Sequence, residues 1–417
     1  RTAAENALAI LRDTEPELHL RSVTLTAKDK ICLCETRECT PEACPYANGY
    51  YARIKGALWD MLDVPCLTAE TLQEYAERHT VCPFELGLDS SLWSDVIIGD
   101  YNYLFDPVVH LVRFFESAGD YIFLVDEAHN LPGRAREMHS AALTKTSFYE
   151  AKKLLGKGKS SLKNALTKVN DVFIEWRHRA EEETAARDGR FGKTFFLKER
   201  SEEFDHLLNR LCEPLEAWLD DHREPDETHT ALLQLYFDVR AWLRVADTFD
   251  DHFVLQITAS GSEVRAAQLC LDPSAFLADS FALGRAAVLF SATLAPASYY
   301  KDLCGVPEAR AVALRSPFPA GNQGLFCIGN VSTRYKDRDA SLAIVEESLA
   351  TMVRARCGNY LAFFPSYAYM EQAYAQFKEH CPEINCIKQE NAMDEQQKAA
   401  FLAQFVPGPS QPLLGFA

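Results

Sequence analysis

The stretch Phe123-Leu-Val-Asp-Glu-Ala-His-Asn130 constrains this chain more than any other. Residues 121–125 are apolar on both faces, which suits a strand buried from both sides in a parallel sheet. The run ends abruptly in two carboxylates and a histidine. In an open α/β sheet, side chains at the carboxyl ends of strands face the ligand crevice. An Asp placed there can hold the magnesium of a nucleotide, and a neighbouring Glu can orient and deprotonate water. Two other runs read the same way, Val96-Ile-Ile-Gly-Asp100 and Ala286-Ala-Val-Leu-Phe-Ser-Ala-Thr293. A fourth α/β unit starts at Tyr360-Leu-Ala-Phe-Phe-Pro-Ser366, with a helix expected over 368–379.

Between these strands the pattern changes. Helical periodicity covers 147–155, 162–179, 204–220 and 230–247, so residues 141–270 are expected to form an all-helical insert. It starts basic, with 14 Lys/Arg against 8 Asp/Glu over 145–200. A helix is expected at 2–11 and a short strand at 20–26. The net charge of -17 argues against a general nucleic-acid coat protein, though a local basic groove remains compatible with it. No apolar run approaches the roughly 18 residues of a membrane span, and no membrane partner is expected.

A nucleotide motor also needs Gly-x-x-x-x-Gly-Lys-Ser/Thr between a strand and a helix. Gly189-Arg-Phe-Gly-Lys-Thr194 is the nearest match. It fails, because Arg187 stands where the first glycine belongs and a charged helical run precedes it. The reading here is a loop with a solvent-facing Lys193.

Thirteen cysteines are present, six of them within the first 82 residues. Cys32, Cys39, Cys44 and Cys82 can supply four thiolates, with Cys34 as the alternative to Cys32. None of the spacings is a C-x₂-C knuckle, and the residues leave zinc and an iron–sulfur cluster both open. Tyr46-Ala-Asn-Gly-Tyr-Tyr-Ala-Arg53 mixes aromatic and basic side chains, as single-strand channels do.

Taken in order, these motifs resemble the iron–sulfur superfamily 2 DNA helicases typified by XPD and DinG, particularly bacterial relatives. Arg1-Thr-Ala-Ala-Glu-Asn6 resembles the end of motif Ia, Asp126-Glu-Ala-His129 motif II, Ser291-Ala-Thr293 motif III, and residues 359–366 motif IV. The resemblance implies RecA-like α/β motor domains with an iron–sulfur insert and a helical arch. Motor domain 1 would comprise 1–27, 93–140 and 271–300. The cluster insert would be 28–92, the arch 141–270, and an incomplete motor domain 2 would be 301–417. It implies an ATP-dependent DNA helicase moving 5′ to 3′, in DNA repair or replication. ATP, Mg2+ and a [4Fe-4S] cluster on Cys32, Cys39, Cys44 and Cys82 would be its cofactors. Asp126 would hold magnesium and Glu127 would activate water. His129, Ser291 and Thr293 would couple nucleotide state to DNA. Arg1, Thr2, Tyr51, Arg53, Tyr101 and Tyr103 would touch single-stranded or forked DNA. A cytoplasmic monomer is expected. Walker A would precede Arg1 and motifs V and VI would follow Ala417, so an internal fragment, inactive by itself, is expected. A junction-binding scaffold without catalysis and an RNA helicase are the competing classes.

Overall fold

The structure is a computed structural model that describes residues 2–417 except 159, 187–192, 225, 333 and 394. Two compact units divide the chain, residues 1–312 and 313–417.

In the first unit, β1 (Ser22–Thr24), β2 (Cys66–Leu67) and β3 (Val96–Ile98) form a parallel sheet in the order β2-β1-β3. The helices Tyr50–Asp60, Ala69–His79 and Pro83–Ser90 cover it. Thr68 caps the second of these by accepting from the Thr71 amide at 3.3 Å, and Pro83 opens the third at a position that needs no amide. Val23 and Leu25 share one core with Ile54, Ala57, Leu72 and Leu86. The cysteine-rich segment is thus packed into the sheet rather than appended to it.

The strand β4 (Ile122–Val125) pairs in parallel with a distant strand, Ala286–Leu289, the ninth in the chain. The residues between them form a substantial body of their own. Its sheet contains β5 (Ala141–Thr144), β6 (Lys193–Leu197), β7 (Phe253–Ser260) and β8 (Glu263–Cys270), all antiparallel in the order β5-β8-β7-β6. The helices Lys145–Leu154, Ser161–Ala186, Glu202–Asp221 and Glu227–Thr248 pack on it. The expectation of an all-helical insert is therefore corrected. Residues 253–260 alternate strictly between buried and half-exposed until the exposed Ser260. Gly261, at φ 61°, opens the two-residue turn that pairs Ser260 with Glu263. The core joins Phe148, Phe173, Trp176, Phe204 and Trp242 through ring contacts with centroids 4.6–5.7 Å apart. Lys193, expected in a loop, begins β6, where its Nζ lies 2.9 Å from Glu181 Oε1. An antiparallel strand start is no phosphate cradle; the two glycines of that stretch lie outside the described residues.

The insert leaves and rejoins the unit at one place. Cys270 N donates to Ser140 Oγ at 2.9 Å, and Arg136 Nε donates to Leu271 O at 2.8 Å. His139 stacks on Phe276, with ring centroids 3.9 Å apart. Burial lowers the His139 pKa, which keeps the stacked ring neutral.

We label Ala286–Leu289 β9. The helix Ala297–Leu303 follows it, and Cys304, 0% exposed, joins the core around Leu131, Leu277 and Phe281. This packing carries the first unit past the expected boundary at residue 300. The second unit holds β10 (Asn359–Ala362), β11 (Asn385–Lys388) and β12 (Leu413–Phe416), parallel in the order β10-β12-β11. Ser366 caps the helix Tyr367–His380 through the Tyr369 amide. No helix among the described residues is long and apolar enough to cross a membrane.

Candidate active site

Register assembles the site. Val125 lies opposite Leu289, so the segments following β4 and β9 emerge side by side. Main-chain bonds continue the ladder beyond the strands: Phe290 N donates to Val125 O at 3.0 Å and Ala128 N to Phe290 O at 3.1 Å. Residues 126–129 and 291–293, more than 160 positions apart in sequence, therefore meet.

The side chains there form one hydrogen-bonded set. His129 Nδ1 is 2.8 Å from Ser291 Oγ and 3.2 Å from Glu127 Oε2. Ser291 Oγ is 3.3 Å from Glu127 Oε2 and 3.4 Å from Thr293 Oγ1, and it accepts from the Thr293 amide at 3.2 Å. A hydroxyl has one proton to give. The set is consistent when His129 donates from Nδ1 to Ser291 and Ser291 donates to Glu127. The structure thus brings together Glu127, His129, Ser291 and Thr293. Asp126 is exposed beside them, with Oδ1 accepting from the Glu127 amide at 2.8 Å. An exposed carboxylate at a strand end fits a magnesium ligand.

Glu127 adopts φ 49°, ψ 38°, a left-handed conformation uncommon outside glycine. Tyr101 reaches this turn: its hydroxyl lies within hydrogen-bond reach of the carbonyls of Asp126 and, at 3.0 Å, Glu127, and shares its one proton between them. Burial raises the Tyr101 pKa first, and the Asp126 and Glu127 charges add to it. Asp100, Tyr101, Asn130, Gly133, Arg134 and Glu137 line an open cavity of about 410 Å³ alongside. Nothing in the motif spacing singles out the bond between Tyr101 and the acidic turn, because they stand 25 positions apart across two short helices and a strand.

The other expected contacts are spread out. Tyr51 is 88% exposed on the helix Tyr50–Asp60. Arg53, two residues on, is committed to the protein: it donates to the carbonyls of Thr80, Pro45 and Asn48. Tyr103 packs against the core of the first sheet. Thr2 is exposed in the first turn of the helix Thr2–Thr14, and Arg1 lies outside the described residues.

Of the cysteines, Cys34 is the thiol beside Cys44, with sulfurs 3.8 Å apart. Burial pushes the Cys34 thiol up to about 11, and Cys44 and Cys32 add to the shift. Cys39 is exposed, and Cys82 precedes the helix Pro83–Ser90. Among the described residues no three His, Cys, Asp or Glu side chains are arranged to hold a metal ion. The thiol chemistry fits an iron–sulfur cluster; the spatial arrangement does not gather Cys32, Cys39, Cys44 and Cys82 into a ligand set.

Parallel strands here deliver adjacent acids to a serine–threonine turn, and the similarities of sequence fall on the same segments. The DEAD_2 family model matches residues 15–148, and a helicase C-terminal domain model matches 349–417. Over these segments the chain is similar to the XPD/Rad3 family of superfamily 2 helicases. The general transcription and DNA repair factor IIH helicase subunit XPD of Schizosaccharomyces pombe is 24% identical over 383 residues, covering 75% of this chain and 49% of that protein. The XPD/RAD3 subunit of Saccharomyces cerevisiae is 23% identical over 421 residues, 82% of this chain and 53% of that protein. The chain spans about half the length of these two relatives. A solved structure titled "XPD_Helicase" aligns with 98% of this chain and 69% of its own, at 16% identity and a TM-score of 0.47.

Proposed function

We propose that these residues belong to an ATP-driven motor that moves along single-stranded DNA and unwinds forked duplex in repair or replication. The observation that carries this reading is the hydrogen-bonded set of Glu127, His129 and Ser291 at the carboxyl ends of β4 and β9. Bound magnesium supplies charge neutralisation on the phosphates. Asp126 is the residue to hold it, because its carboxylate is exposed and one oxygen is already oriented by the Glu127 amide. Glu127 orients the attacking water and takes its proton. Ser291 aims the Glu127 carboxylate while accepting from His129, and the Thr293 amide fixes Ser291. A shift in 291–293 is thereby felt at Glu127, which is what coupling between nucleotide and DNA requires. Tyr51 offers an exposed ring on which a base can stack. A [4Fe-4S] cluster held by thiols of the 32–82 segment is part of this proposal, supported by the Cys34–Cys44 approach. The 5′ to 3′ direction rests on the family resemblance alone.

No complete Gly-x-x-x-x-Gly-Lys-Ser/Thr stands within the 417 residues. The chain by itself is therefore expected to bind forked DNA but to hydrolyse ATP negligibly. Fluorescence anisotropy across a salt series and an ATPase assay with and without single-stranded DNA test both halves. Binding should weaken linearly in log–log form as salt rises. Normal turnover would refute the argument from the phosphate cradle. Absent DNA binding would refute the motor reading.

A further inference from the structure

The φ and ψ angles of Glu127 relate two peptide planes. One carries the Asp126 carbonyl and the Glu127 amide, the other the Glu127 carbonyl and the Ala128 amide. Consecutive carbonyls point the same way in helical backbone, whichever its hand, and opposite ways in extended backbone. One donor can therefore serve both carbonyls only while Glu127 stays in a helical conformation. The Tyr101 hydroxyl serves both. Thr80, Glu127 and Ala392 are the non-glycine positions with positive φ among the described residues. Such a backbone persists where its surroundings over-determine it.

The other bonds at this turn come from nearby in sequence or from the β9 side. The Glu127 amide donates to the Asp126 side chain, Asn130 N donates to Glu127 O at 2.9 Å, and Ala128 N donates to Phe290 O. From the segment 100–107, the Tyr101 hydroxyl reaches the turn. Its ring is anchored behind the hydroxyl, edge-on to Phe105 at 6.4 Å, and Phe105 meets Phe281 at 5.4 Å. Phe105 is 4% exposed and Phe281 8%, so the ring stands on a fixed base.

We propose that Tyr101 is the positioning residue of Glu127, its hydroxyl bridging the two carbonyls that flank the left-handed turn and so setting where the carboxylate points. Glu127 counts as a catalytic group only on the reading above, but the positioning is a statement about conformation and is tested without ATP. Tyr101→Phe keeps the ring on Phe105 and removes only the donor. In hydrogen–deuterium exchange of the 417-residue chain, amides 127–130 should exchange about five- to tenfold faster in the variant. Peptides from β7 and β8 should be unchanged and serve as the folding control.

A purely structural tyrosine would not alter the His129–Glu127 contact. The second readout is therefore the ring signal of His129 in a ¹³C-histidine-labelled sample, assigned by His129→Gln. In Tyr101→Phe it should move toward its position in Glu127→Gln. Unchanged exchange at 127–130, or a His129 signal that stays at its wild-type position, overturns the proposal. So does faster exchange spread across the whole unit, which would make Tyr101 a packing residue. A chain that fails to bind DNA, or that turns ATP over normally, bears on the proposed function and leaves this result standing.

Discussion

Asp205 is 6% exposed inside the insert. One carboxylate oxygen accepts from Trp242 Nε1 at 2.8 Å. The other finds no hydrogen-bond partner among the described residues, and Arg200 NH1 is 3.8 Å away. Burial raises the pKa above its ordinary 3.8; Trp242 and Arg200 oppose the shift without cancelling it. The sign follows from linkage. The unfolded chain releases this proton at lower pH than the folded one, so stability falls as pH rises between the two pKa values. Above the folded value the full penalty is present, and below the unfolded value it is gone. Asp205→Asn keeps an acceptor for the indole and removes the charge. An unpaired buried polar group costs about 1–3 kcal/mol, and more when charged. The amide nitrogen of the variant remains unpaired, and the half-exposed Arg200 gives up an attraction of about 0–1 kcal/mol. The net gain is about 1 kcal/mol at pH 7. Urea unfolding followed by tryptophan fluorescence reads it, because Trp176, Trp218 and Trp242 all report on this core. The gain should shrink toward zero near pH 4. A variant less stable than wild type at pH 7, or a gain that does not change with pH, would refute the reasoning.

Gln268, 0% exposed on β8, has neither amide atom bonded to a partner among the described residues. Gln268→Met, of similar length, should raise stability by about 1–2 kcal/mol in the same urea assay. Tyr51→Ala should weaken forked-DNA binding about tenfold, read by anisotropy, from the loss of one stacking platform. Arg53→Ala should instead lower stability by about 1–3 kcal/mol, since it frees three main-chain carbonyls; the denaturation midpoint separates the two effects. Cys44→Ser should abolish the visible absorbance of the purified protein. A colourless wild type holding stoichiometric zinc would exclude the iron–sulfur assignment.

Strands with apolar runs and helices with clear periodicity were legible in the chain, because an apolar run and a 3.6-residue repeat both leave direct traces; the two-sided burial expected of β4 is not found, since Ile122 and Leu124 are 64% and 69% exposed. The strand-end acids and the Ser-Ala-Thr turn were legible for the same reason: each follows an apolar run. Their contact was not, since parallel pairing of β4 with β9 is decided by packing across 160 intervening residues. The hairpin of β7 and β8 was legible in principle, since Val254, Ile257 and Thr258 are β-branched and the burial alternates, but it follows directly on the long helix Glu227–Thr248, whose periodicity masks the change of period. The choice between Cys32 and Cys34 could not be read from spacing, because a turn between 32 and 44 decides which sulfur approaches Cys44. Arg53 shows the converse. A cation beside tyrosines looks like a phosphate ligand in sequence, yet its Nε and one terminal nitrogen are committed to main-chain carbonyls.

The insert's two attachments, at 139–141 and 270–271, lie side by side and are tied together by Ser140 and Arg136. A body hung from one strand can swivel about that strand in any direction. Hung from two adjacent strands that are bonded to each other, and with Phe253 packed on Phe276 outside it at 6.0 Å, it is restrained from that swivel. The helix that follows His129 supplies Arg136, so that helix grips the insert directly where its last strand rejoins the unit.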